Sequence, residues 1–133
     1  MSERDLYIEM IKNLAISLNE KYCNQRYKGK FDTGIQIIYL AITLTIKAID
    51  KSKNEKIKLS TDEIIDIVVK IIQPINEKLY KTDSIDLKTF EEINKMLEDI
   101  DALSPIIASL IDISSTAVIV LTKKSFWKKF ICH

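Results

Sequence analysis

Along most of the chain, apolar positions recur at spacings of three and four, the period of a helix with one buried face. Ile8, Ile11, Leu14, Leu18 and Tyr22 form a first stripe, with Glu9, Lys12, Asn13, Glu20 and Lys21 opposite it. That pattern predicts an amphipathic helix of about 20 residues, started by Ser2 and Asp5 as a capping pair. The polar, basic stretch Asn24 to Lys30 contains Gly29, a helix stop.

The second segment has a different pattern. From Ile35 to Ile49 nearly every position is apolar, the exceptions being Gln36, Thr43, Thr45 and Lys47. A helix that is apolar all round belongs in the centre of a core or in a membrane. Its many β-branched residues leave a strand as the alternative. The length favours helix, because about 15 residues exceeds a usual strand, and Asp32 or Thr33 is placed to cap it.

After a charged loop from Asp50 to Lys58, Ser60-Thr61-Asp62-Glu63 spells a capping box. Ile64, Ile65, Val68, Val69 and Ile72 follow at helical spacing. Pro74 removes a backbone donor and should kink the helix near Gln73. Ile75, Leu79 and Tyr80 extend its apolar face. A turn from Thr82 to Asp86 leads to an acidic helix carrying Leu87, Phe90, Ile93, Leu97 and Ile100. Ser104-Pro105 reads as a new start, serine at the N-cap and proline at the first helical position. The last helix has a polar flank of Asp112, Ser114, Ser115 and Thr116. A short basic amphipathic piece from Lys123 to Ile131 closes the chain.

The expected fold is therefore all-α: one domain over residues 1–133, with five helices, a short sixth and a basic aromatic tail from about 122. The segments Ile35 to Ile49 and Pro105 to Leu121 are apolar enough to form a central pair. Composition agrees with this reading. The 133 residues contain only Gly29 and Gly34 and only Pro74 and Pro105, too few turn residues for most sheet folds. An apolar helix inside amphipathic ones with a basic tail resembles Bcl-2-like bundles as an architecture. The chain lacks that family's signature motifs, such as an Asn-Trp-Gly-Arg segment, so no residue role follows from the resemblance.

Net charge is only +1, unlike a dedicated polyanion binder. The charges are nevertheless polarised, with seven acids from Thr82 to Asp101 and four lysines without an acid from Lys123 onward. The single histidine, His133, is the last residue, a poor place to hold an acid–base group. Neither glycine lies in a phosphate-cradling loop. Cys23, Cys132 and His133 do not make a metal-ligand set. No catalytic site, cofactor or metal is expected. Met1 to Asp5 is charged and the apolar positions beyond are interrupted, so the chain is expected to be intracellular and cytoplasmic with reduced thiols, not secreted.

The leading expectation is a non-enzymatic interaction or structural protein. Its partner would be another protein or a second copy, with Leu87, Phe90, Ile93, Leu97 and Ile100 as the contact stripe. Small size and the absence of catalytic residues fit a virus- or phage-encoded accessory protein, a minor structural component or an inhibitor of a host protein, and the surplus of Ile, Lys and Asn suits an AT-rich genome, bacterial, phage or viral. The second expectation is membrane association. Lys123, Lys124, Phe126, Trp127, Lys128, Lys129 and Phe130 would touch anionic lipid beside the apolar stretch Pro105 to Thr122. Asp112 near the middle of that stretch weakens a spanning reading. Nucleic acid ranks third, through Lys21, Arg26, Lys28 and Lys30 interleaved with Tyr22, Tyr27 and Phe31. The helical pattern predicts a far-ultraviolet circular dichroism spectrum with the double minimum of α-helix. A sheet-dominated spectrum would refute the reading of every segment.

Overall fold

In the computed structural model, which describes residues 2–22, 31–54 and 56–121, the periodic segments become five α-helices. They are α1 (Glu3–Tyr22), α2 (Gly34–Ser52), α3 (Thr61–Lys81), α4 (Leu87–Leu97) and α5 (Ile100–Leu121). Among the described residues there is no strand, so the all-α expectation holds. The expected sixth helix, Lys123 to Ile131, lies outside the described residues.

The helix α2 is the element that everything else covers. Ile37, Ile38, Leu40, Ala41, Ile42, Leu44 and Ala48 are all fully buried. These positions cover more than half of the helix circumference, with exposed Ile35 and Asp50 on the opposite side, and only burial from several directions can satisfy so wide a band. Two threonines are buried among them, and each hydroxyl finds an acceptor one turn back. Thr43 Oγ1 donates to the Tyr39 carbonyl at 2.9 Å, and Thr45 Oγ1 to the Ala41 carbonyl at 2.8 Å. The helix thereby supplies the partners its polar side chains need in a dry interior. Of the two expected caps it is Thr33 that acts: its side chain accepts from Gln36 N, and the Gln36 side chain accepts from Thr33 N.

The two helices beside α2 are held by their ends. At the start of α1, Asp5 N donates to Ser2 Oγ at 3.1 Å and Ser2 N to Asp5 Oδ2 at 3.4 Å, the capping pair expected from sequence. Ser52 Oγ, at the end of α2, donates to the Ile49 carbonyl, so the Tyr7 hydroxyl donates to Ser52 Oγ at 2.9 Å. This contact joins the beginning of α1 to the end of α2, and the two helices run antiparallel. Arg4 grips both carboxylate oxygens of Glu63 and donates to the Lys58 carbonyl at 2.8 Å, joining the beginnings of α1 and α3. Those two helices are therefore parallel, with α2 against both.

Two expectations change. The stripe of α1 is turned slightly, because Tyr7, Ile11, Ala15 and Leu18 are buried while Ile8 and Leu14 are only half-buried. A helix wedged against both α2 and α3 needs a wider band, and Ala15 lets it approach closely. The last helix starts at Ile100 and not at Pro105. Asp99 caps it, accepting from Ala102 N at 3.2 Å, so Ser104 is not the N-cap. Pro105 is exposed and only its sixth residue. There the missing N–H frees just the Asp101 carbonyl, and Asp101 itself is exposed. Among the described residues α2 and α3 each pack on all the other helices, and α5 packs on α2, α3 and α4.

The helix α3 continues through Pro74. Its buried face is wide, running through Ile67, Val68, Ile71, Ile72, Ile75, Asn76 and Leu79. Asp112 is exposed, where its polar flank put it. Asn19 is 1% exposed, and neither polar atom of its side chain has a hydrogen-bond partner. That is a standing cost in the core.

Glu63 belongs to both the Ser60 capping box and the Arg4 ion pair. The hydrogen bond from Arg4, then that from the Ser60 backbone, lowers its pKa from the ordinary 4.5 to about 2. A carboxyl with a depressed folded pKa stabilises the fold above its unfolded pKa and stops doing so as it is protonated. The contribution is thus fully present above about pH 4.5 and is lost as pH falls toward 2. Glu63→Gln keeps a side chain able to complete the capping box and removes the charge. Its midpoint temperature should fall less steeply than that of the parent between pH 5 and pH 2 (roughly the titration window of such a carboxyl). Identical acid limbs would refute the linkage.

Candidate interaction surface

The corner between α3 and α4 is built by a tight polar turn. Thr82 Oγ1 donates to the Lys78 carbonyl at 2.9 Å and closes the last turn of α3. Ser84 N donates to the Leu79 carbonyl at 2.8 Å, and the buried Ser84 hydroxyl lies 2.9 Å from Thr82 Oγ1. Asp83 takes a left-handed backbone with φ 59°, a conformation aspartate tolerates better than most residues. Asp86 then caps α4, accepting from Thr89 N at 2.8 Å. That hydrogen bond holds its carboxyl below the usual carboxylate range.

This turn brings Tyr80, at the end of α3, onto Phe90, in the first turns of α4. The rings stack with centroids 4.4 Å apart and 18° between their planes. Tyr80 is 38% exposed, and Leu87, one turn before Phe90, is 52% exposed. Behind the rings, Asn76 is fully buried. Its Nδ2 donates to the Phe90 carbonyl at 3.1 Å and to Asn94 Oδ1 at 3.4 Å, while its Oδ1 has no partner. Exposed charges of both signs, Lys81, Asp83, Asp86, Lys88 and Glu91, surround the pair.

The five residues expected as one contact stripe do not share one fate. Ile93 is fully buried and belongs to the core. Phe90 and Leu97 are half-buried and pack against that core. Leu87 stays in solvent, and so does Ile100 at 49% exposed. Ile100 is also no longer on the same helix, because α4 ends at Leu97 and Ile100 opens α5. The middle of the stripe is the inward face of α4, turned toward α2, α3 and α5. What remains on the surface is the Leu87 end, and Tyr80 joins it from α3. Tyr80 was read as part of the inward face of its own helix. Its neighbour Phe90 is ten residues away across a turn, so no helical spacing could have paired them.

Glu92 Oε1 accepts from Gly34 N at 3.0 Å, placing a carboxylate at the N-terminus of α2. A Cβ on Gly34 would come within 2.9 Å of that oxygen and 3.2 Å of Ile93 Cδ1, so glycine allows the approach. The tail residues Lys123, Lys124, Phe126, Trp127, Lys128, Lys129 and Phe130, with Arg26, Tyr27, Lys28 and Lys30 of the basic segment, lie outside the described residues. Among the described residues no helix is long and apolar enough to cross a membrane. No group of three or more metal-ligating side chains occurs among them.

No family model, no curated protein and no solved structure matches the chain. Asn76 anchors the backbone of α4 behind the ring pair. Asn76→Ala is expected to cost about 1–3 kcal/mol, through a lost buried hydrogen bond and the space left behind. Urea unfolding measures this, and an unchanged midpoint would show that the anchor carries no weight.

Proposed function

We propose that the chain is a non-enzymatic helical bundle that binds another protein, a second copy of itself included, through the α3–α4 corner. The observation that carries the reading is the Tyr80–Phe90 stack beside the exposed Leu87. Aromatic residues ringed by polar ones have the composition of an interface centre and its rim. The stack is ordered before any partner arrives, so little side-chain freedom is lost on binding.

Among the described residues the strongly displaced carboxyl is Glu63, and its cause is an ion pair and a helix cap at the surface. The small size fits an accessory or minor structural role, of the kind virus- and phage-encoded proteins fill.

Sedimentation velocity over a wide concentration range tests self-association, and a photo-crosslinking residue at Leu87, compared with one at exposed Ser17, tests a different partner. The expected result is either a concentration-dependent dimer or a discrete protein adduct specific to position 87. Tyr80→Ala should weaken it roughly tenfold or more, as loss of an interface aromatic does. A strict monomer that gives the same adducts from both positions overturns the proposal.

A further inference from the structure

A second feature lies at the opposite end of α3, away from the aromatic corner. There the end of α2, the connecting loop and the start of α3 enclose an open cavity of about 670 Å³. Its lining is Ile49, Ile57, Leu59 and Ile64, with Asn54 and Lys58 as the polar members. The four apolar side chains pack on the core from below and are only partly buried. Asn54 Oδ1 accepts from Lys56 N at 3.0 Å and from Ile57 N at 3.3 Å, which fixes the loop. Arg4 holds the Lys58 carbonyl in place from α1. The wall is therefore pre-formed by bonds that leave the Lys58 ammonium and the Asn54 amide N–H groups without partners among the described residues.

The connecting loop carries an excess of positive charge. Between Asp50 and Lys58 the chain has four lysines against Asp50 and Glu55. Lys51, Lys53 and Lys56 are all exposed. An apolar hollow of this size with a few converging polar groups has the dimensions of a small-molecule site. A neutral apolar ligand would leave the ammonium and the amide unused. A cation would meet the lysines. The complement is a molecule with an aliphatic tail and a single anionic head whose two oxygens match one ammonium and one N–H donor.

We propose that this cavity binds an unbranched aliphatic carboxylate, with the tail on Ile49, Ile57, Leu59 and Ile64 and the carboxylate between Lys58 Nζ and Asn54 Nδ2. The site is separate from the Tyr80–Phe90 surface and does not depend on its role.

Isothermal titration calorimetry of the full chain with decanoate is the test, with hexanoate and decyltrimethylammonium as comparison probes. Decanoate should bind saturably at one site. Hexanoate should bind more weakly, by about threefold to fourfold for each methylene removed from contact. Lys58→Gln should weaken decanoate about fivefold, the scale of a surface ion pair, and Lys58→Arg should restore most of the loss. Methyl NMR spectra should place the shifts on Ile49, Ile57 and Ile64, which reads the site without relying on any variant. Decyltrimethylammonium binding as tightly as decanoate overturns the proposal. So does non-saturable uptake, a Lys58→Gln chain of unchanged affinity, or methyl shifts centred elsewhere.

Discussion

Burying the wide apolar band of α2 is the constraint from which the rest of the fold follows. A helix whose buried isoleucine, leucine and alanine span more than half of its circumference cannot be satisfied by one neighbour. Four helices are recruited to it, and each needs only one apolar face of its own. That explains why α3 and α4 are amphipathic and why α3 has a wide stripe. It is the second helix in contact with all of its neighbours, and its buried side chains from Ile67 to Leu79 must meet several of them. The threonines inside α2 do not break the scheme, because each bonds to its own helix and asks nothing of the helices packed on it.

A core that is nearly all aliphatic is weak in direction. Isoleucine and leucine pack in many ways, and close packing alone leaves helix order and orientation loosely specified. Polar contacts at the helix ends supply the missing direction. Arg4 sets α1 beside the start of α3, Tyr7 sets it beside the end of α2, and Glu92 binds α4 to the first residue of α2. Asn76 does the same between α3 and α4 from inside the core. Most of these groups lie at or near the surface, where each contributes modestly to stability. Their geometric value is larger than their energetic one, because each pair of atoms can meet in only one arrangement of the bundle.

Two surface features among the described residues lie at opposite ends of α3. One is aromatic with charges of both signs on the neighbouring chain, and the other is aliphatic beside a lysine-rich loop. Both sit beside connections, at the α3–α4 turn and the α2–α3 loop. Connections are where a bundle can vary its surface without disturbing its interior.

The elements themselves were legible in the residues. Spacing gave five helices, the Ser2–Asp5 and Ser60–Glu63 pairs marked two starts correctly, and the threonine cap of α2 was one of two named residues. These are local facts, set by neighbours three or four positions apart, and a chain carries them wherever it goes. Ser104-Pro105 failed as a start because Asp99 lies upstream with its own cap, and a proline so near a helix end is tolerated when the carbonyl it strands faces water. The contact stripe failed as a unit for a different reason. Amphipathic spacing says that a face is apolar but not whether a neighbour covers it, and packing took Ile93 inward while leaving Leu87 out. Arg4 with Glu63, Glu92 with Gly34 and Tyr80 with Phe90 join residues on different helices, two of those pairs more than fifty positions apart. Nothing in local order encodes such meetings. They exist only once burial of α2 has decided which helices lie side by side.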